Sequence, residues 1–257
     1  MIKLIQLTIV LLIPFIAKSQ DYCDFIQNVQ NYQDSVELKQ VGDSDILDSE
    51  TFDVRTYTSL FDNIEIENEY KIGVYYFDNF LDGNPYLYAL KDGEEFKTRN
   101  KKSLYDYLNK TEIKARNHIF PKDSEEGFLQ YLFFCEMGEQ FALKWHSNYN
   151  AKFIICTKKK LDEVLNEFKK YNQPQTGDAE TEMPAFQVDL GELDKLSQID
   201  PTVEIEMTKE FCEVSWIEDR THDGIYKCKY KIQRQFPYKI DKINEERLLE
   251  ITIGFLY

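Results

Sequence analysis

Residues 203–232 read VEIEMTKEFCEVSWIEDRTHDGIYKCKYKI, and their alternation decides the fold class. Val203, Ile205 and Met207 alternate with Glu204 and Glu206, and Cys212, Val214 and Trp216 alternate with Glu213 and Ser215. After the turn-forming stretch 219–224 (DRTHDG), Tyr226, Cys228, Tyr230 and Ile232 alternate with Lys227, Lys229 and Lys231. Successive side chains of a strand point to opposite faces, so this pattern predicts an antiparallel sheet with one apolar and one wet face. A turn centred near Thr221 sets Val214 opposite Cys228, and a two-residue shift sets Cys212 opposite Cys228. A one-residue shift would drive the lysines into the core, which is prohibitive. Lys227, Lys229 and Lys231 then form a cross-strand charge ladder with Glu204, Glu206 and Glu213. That reading is preferred to a landing patch for an anionic glycan.

The rest of the chain reads outward from this hairpin. The C-terminus, ITIGFLY, again alternates. Upstream, residues 172–183 (NQPQTGDAETEM) have loop composition and mark a linker or long loop between sections 21–171 and 184–257. Before it, Thr157 caps KKKLDEVLNEFKKY, whose Leu161, Val164, Leu165, Phe168 and Tyr171 make a helical stripe. Residues 153–156 (FIIC) read as a buried strand, and 141–146 (FALKWH) as an alternating one. Residues 128–135 are apolar throughout, and periodicity alone leaves strand and buried helix open. Residues 70–78 and 86–90 flank the turn Asp82-Gly83-Asn84-Pro85 as a hairpin. Ser103 opens a short helix. Phe25, Ile26, Val29, Tyr32 and Val36 recur at helical spacing, with Asp21 or Asp24 as the cap. The expected fold is therefore α+β: antiparallel β-sheets with a few amphipathic helices.

Residues 1–19 read as a secretory signal peptide. Lys3 precedes the apolar run 4–17, and Ala17 and Ser19 occupy the −3 and −1 positions of a cleavage site. A 14-residue run is short for a membrane anchor, which takes about 20 residues. No second such run exists, so no transmembrane segment is expected in the mature chain. The chain carries a net charge of −15. Loss of Lys3 and Lys18 with the leader leaves 29 basic against 46 acidic residues, a charge of −17. Such a field repels phosphate backbones, so nucleic acid is excluded as a partner. In its leader and its Lys-, Asn-, Ile- and Tyr-rich composition the chain resembles exported proteins of Bacteroidetes-type bacteria, and the expected location is periplasmic or secreted.

Sequence candidates for chemistry are few. An exported chain meets an oxidising compartment, and Cys212 and Cys228, on one apolar face, are the best-placed disulfide pair; two buried free thiols are the alternative. Cys135 and His146 are the weak catalytic candidates, as a nucleophile and its base. A third, orienting group is missing, and a core thiol and a half-exposed strand histidine are the preferred reading. His222 sits in a polar turn that favours His for backbone reasons. The acidic stretches 43–50 and 78–84 lack EF-hand spacing and read as solvated loops. Neither a CxxC pair nor a GxSxG, HExxH, GxxxxGK or GxGxxG motif is present, so no cofactor or metal is expected.

The expectation is an exported, acidic, non-enzymatic binding or structural module of the bacterial cell envelope or secretome. Its partner would be a protein or glycan, met through aromatics such as Tyr75, Tyr86 and Tyr88. The alternative is a hydrolase built around His146 or dispersed carboxylates.

Overall fold

A computed structural model describes residues 2–35, 53–75, 86–94, 113–141, 151–171, 186–220 and 223–253. Helices and antiparallel sheets alternate irregularly along the chain, giving an α+β fold. The linker 172–183, the Ser103 helix and the 141–146 strand beyond Phe141 lie outside the described residues.

The central sheet has the order β10-β9-β8-β5, from Ile240–Glu250 (β10), Gly224–Gln233 (β9), Phe211–Asp219 (β8) and Phe153–Ile155 (β5). A fifth strand, Glu204–Met207 (β7), shares the far edge of β8 with β5. Cys212 to Ser215 pair with β7, and Ile217 to Asp219 pair with β5. Sections 21–171 and 184–257 thus contribute strands to one sheet.

The hairpin register differs from both expected ones. Cys212 pairs with Ile232, Val214 with Tyr230 and Trp216 with Cys228. The Arg220 amide donates to Gly224 O (2.9 Å) and the Asp223 amide to Arg220 O (2.8 Å), so the hairpin is centred one residue later than Thr221. The faces are preserved because the shift is even. Gly224 has φ 143°, and a Cβ there would collide with the Leu249 carbonyl oxygen. The turn therefore requires glycine.

The sheet is covered on both faces near this turn, which corrects the expectation of one wet face. On the first face Val214, Trp216, Cys228 and Tyr230 are buried with Ile26 and Val29 of Ile2–Ser35 (α1) and Phe128, Leu132 and Phe133 of Glu125–Met137 (α3). On the second, Ile217, Ile225 and Leu249 are buried with Leu161, Val164 and Leu165 of Lys158–Tyr171 (α4) and Leu193 and Leu196 of Leu190–Leu196 (α5). Only the far end of this face is wet. There two rungs of the ladder form, with Lys229 2.5 Å from Glu213 and Lys227 4.0 Å from Glu204, while Lys231 lies over the Phe211 ring at 3.6 Å.

The ambiguous segment 128–135 is helix. Ser124 caps α3 by accepting the Gly127 amide at 3.0 Å, and Glu125 and Glu126 fill its first turn. Apolar side chains on every side make it a core helix. Its last carbonyls are satisfied by buried groups: Gln33 donates to Met137 O (2.7 Å) and the Tyr57 hydroxyl to Gly138 O (2.7 Å). Tyr57 comes from Val54–Ser59 (α2), which Asp53 caps. Asp21 and Asp24 lie inside α1 and do not cap it. Thr157 caps α4, as the sequence predicts, by accepting the Lys160 amide at 3.1 Å.

Smaller pairings complete the fold. Tyr70–Tyr75 (β2) and Tyr86–Lys91 (β3) form the expected hairpin. Ile64–Ile66 (β1) pairs with Ile119–Pro121 (β4), and Thr252–Ile253 (β11) with Phe186–Gln187 (β6). Among the described residues, no helix is long and apolar enough to cross a membrane.

Candidate functional site

Of the two readings left open for Cys212 and Cys228, a disulfide or two buried free thiols, the structure has the second. In this register they are not partners, because Cys228 stands opposite Trp216 and Cys212 opposite Ile232. Burial pushes both thiols up to about 12. The disulfide joins Cys23 of α1 to Cys156 after β5, with Cα atoms 5.6 Å apart. Its cysteines are 133 residues apart, so no local pattern announces it.

Cys135 is a free thiol on α3, and burial pushes it up to about 12. At neutral pH it is a thiol and not a nucleophilic thiolate. His146 and His222 lie outside the described residues. Near Cys135, the exposed Glu139 accepts the Leu87 amide at 3.2 Å, and partial desolvation by neighbouring atoms raises its carboxyl. Glu136 approaches Lys152 at 4.0 Å. Both acidic loops considered for calcium, 43–50 and 78–84, fall outside the described residues. Among the described residues no group of His, Cys, Asp and Glu could hold a metal ion.

The polar cluster missed by sequence reading centres on Glu218, which has no exposed surface. Its carboxylate accepts the Trp216 indole N–H (2.9 Å), the Tyr230 hydroxyl (2.8 Å) and the Arg220 guanidinium (3.0 Å). Arg220 continues to Glu245 at 2.5 Å, and Lys242 reaches the same carboxylate at 2.6 Å. Burial opposes the charge on Glu218, but the hydrogen bonds from Trp216 and Tyr230 and the positive charges of Lys152 and Arg220 hold its carboxyl below the usual range. Both oxygens are occupied, so the cluster ties β8, β9 and β10 together and offers no open coordination. The signal was available: Glu218 and Arg220 continue the phase of Cys212, Val214 and Trp216, so a carboxylate and a guanidinium sit on the apolar face.

An aromatic cluster lies at the opposite end of the β9–β10 hairpin. The turn 234–239 (RQFPYK) closes with the Tyr238 amide donating to Gln235 O at 2.9 Å. Tyr238 has φ 51°, a region that bulky residues rarely occupy. Packing compensates, since its ring lies 5.8 Å from that of Tyr131 and 6.4 Å from that of Phe128. Phe236 is left projecting, 72% exposed. Its ring meets Tyr238 edge-on at 6.1 Å and Phe120 of β4 at 6.2 Å.

Ion pairs frame this knob. Arg234 makes a two-pronged contact to Asp123 at 2.7 and 2.8 Å and donates to Thr208 O. That joins three turns in one rim. Lys239 pairs with Asp241 at 2.8 Å. Of the aromatics named from sequence, Tyr88 packs its ring over Gly73, which has room for no Cβ. It is half-buried and does not serve as the exposed platform. The side chains of Tyr75 and Tyr86 lie outside the described set.

No family model matches the chain, and neither the curated proteins nor the solved structures contain a match to it.

Proposed function

We propose that this is an exported, non-catalytic binding module of the bacterial envelope or secretome, docking a protein partner through Phe236. The observation that carries the reading is a phenyl ring 72% exposed on a turn whose neighbours are packed and ion-paired. Aromatic anchors inside a polar rim are the usual centres of protein interfaces. A ring already held in place loses little freedom on binding. The rings meet edge to face at 70° and 87°, which presents a knob and not the flat platform a sugar ring would stack on. Export draws support from the leader pattern and the Cys23–Cys156 bridge, since disulfides persist in oxidising compartments.

The test compares wild-type protein with Phe236→Ala as bait against a solubilised envelope fraction. Lys229→Ala serves as a control remote from the turn. A protein captured by wild type and control, and lost at least tenfold with Phe236→Ala, supports the reading. Equal capture by all three overturns it, as does Phe236-dependent retention on polysaccharide in place of protein. The intact mass of native material tests export: it should begin at Gln20.

One observation favours a second reading, a hydrolase. Glu139 is solvent-exposed yet partly desolvated by the protein around it, which raises its carboxyl in the direction a general acid needs. Turnover of chromogenic esters or glycosides that falls a hundredfold in Glu139→Gln, with folding intact, would displace the binding reading.

A further inference from the structure

A hollow of 160 Å³ lies between α2 and the β1–β4 ribbon. Phe61, Ile64, Ile66, Ile72, Ile119 and Phe134 line it. Ile66 is 39% exposed, so the hollow opens to solvent. On its α2 edge the Thr58 and Ser59 hydroxyls donate to carbonyls of their own helix, at 2.8 and 2.7 Å. They are satisfied without a ligand, and the site suits an apolar group.

The hollow and the Phe236 knob stand on opposite faces of one ribbon. Ile64 pairs with Pro121, Glu65 with Phe120 and Ile66 with Ile119. Paired residues share a face, and neighbours along a strand alternate. Ile64, Ile66 and Ile119 thus face the hollow. Phe120 faces the other way, where its ring meets Phe236 at 6.2 Å. The chain cannot seat Phe236 in its own hollow, whereas a second copy can.

Size and charge both match. A cavity of roughly 150 Å³ lined by Leu, Ile and Phe admits a benzene ring, and the Phe236 side chain is such a ring on one methylene. Arg55 is exposed on the edge of the hollow and makes no ion pair among the described residues. Glu65, on the knob's face of the ribbon, is exposed and equally unpaired among the described residues. The two faces therefore carry open charges of opposite sign.

We propose that the partner docked by Phe236 is a second copy of this chain, whose hollow receives the ring. This rests on the reading of Phe236 as an anchor. Opposite faces of a ribbon cannot both be met by one neighbour, so the contact is head to tail. Each pair keeps a free knob at one end and an empty hollow at the other, and association continues into rings or filaments. A single anchor makes a small contact of the weak, transient class. The charge of −15 on each copy opposes it. Salt screens that repulsion to about 8 Å at roughly 0.15 M, so association strengthens as salt rises toward that value.

Sedimentation velocity of the mature chain across micromolar concentrations, at physiological salt, tests the proposal. The mean mass of wild type should rise with concentration past that of a dimer. Phe236→Ala and Ile66→Asp should each weaken association about tenfold or more. Both positions are exposed, so the circular dichroism of the variants should match wild type. Mixing decides the geometry. Phe236→Ala keeps the hollow and Ile66→Asp keeps the knob, so the equimolar mixture should form a one-to-one dimer and stop there. Wild type that stays monomeric, or a mixture of two folded variants that stays monomeric, overturns the second copy as partner. Wild type that stops at a dimer overturns the head-to-tail contact. The anchor reading fails separately: it survives a monomeric wild type if Phe236→Ala still loses an envelope protein, and falls if Phe236→Ala captures that protein as wild type does.

Discussion

Trp216 donates its indole N–H to the Glu218 carboxylate at 2.9 Å, two positions along one strand, and both side chains are buried. The carboxylate thus satisfies the largest core side chain and draws Arg220 onto the same face. Removing one partner of a buried, hydrogen-bonded charge leaves the rest uncompensated and costs about 3–5 kcal/mol. Glu218→Ala is expected to destabilise by this amount in urea melts, and Glu218→Gln by less, since the amide oxygen still accepts from Trp216 or Tyr230. A loss under 1 kcal/mol in Glu218→Ala would show that the cluster is not holding the strands.

Acid should act through the same cluster. Hydrogen bonds from Arg220 and Lys242 hold the Glu245 carboxyl down at about 2, and Glu218 is also lowered. A free glutamate titrates near ~4.3. The unfolded chain therefore binds protons first as pH falls, and the stabilisation present above that value is lost through the folded pKa. Stability should be level from neutrality to about pH 5 and fall toward pH 2. In Glu245→Gln the fall should be shallower. An identical acid limb in both proteins would refute the assignment.

Thiol chemistry checks the bridge. Native protein should resist iodoacetamide, because burial pushes Cys135, Cys212 and Cys228 up to about 12. Denaturation without reductant should expose three thiols, and reduction two more. Chain-entropy reasoning puts the cost of losing such a bridge at about 2–5 kcal/mol. Recovery of a Cys212–Cys228 peptide after digestion would overturn the pairing.

The two faces of the hairpin give a contrast in stability. Trp216→Ala should cost about 3–5 kcal/mol, as a fully buried aromatic. Lys229→Ala should cost about 0.5 kcal/mol or less, since the lysine end of its pair with Glu213 is exposed and screened by solvent. Comparable losses in the two variants would reverse the face assignment.

Legibility in the sequence followed local periodicity. The faces of β8 and β9, the β2–β3 hairpin and the Thr157 cap were readable because each is a pattern within a few residues. The register was not, because moving the hairpin centre by one residue preserves every face. Ile217, Ile225 and Leu249 broke the alternation as apolar residues on the nominally wet side, yet only packed helices reveal what covers them. β10 was invisible: IDKINEERLLE has the charge density of a surface helix, and as an exposed edge its charges discourage further pairing. The Phe236 knob depends on Phe120, Tyr131 and Tyr238, which meet only in three dimensions.

The long reach of the bridge constrains the order in which the protein is made. Cys23 emerges early, and its partner follows 133 residues later. At 5–20 residues per second that interval is on the order of ten seconds. Only one other cysteine, Cys135, appears in the meantime. A chain exposed to oxidant during synthesis therefore has a single wrong partner to avoid until Cys156 appears, and Cys212 and Cys228 follow only after the correct one is available.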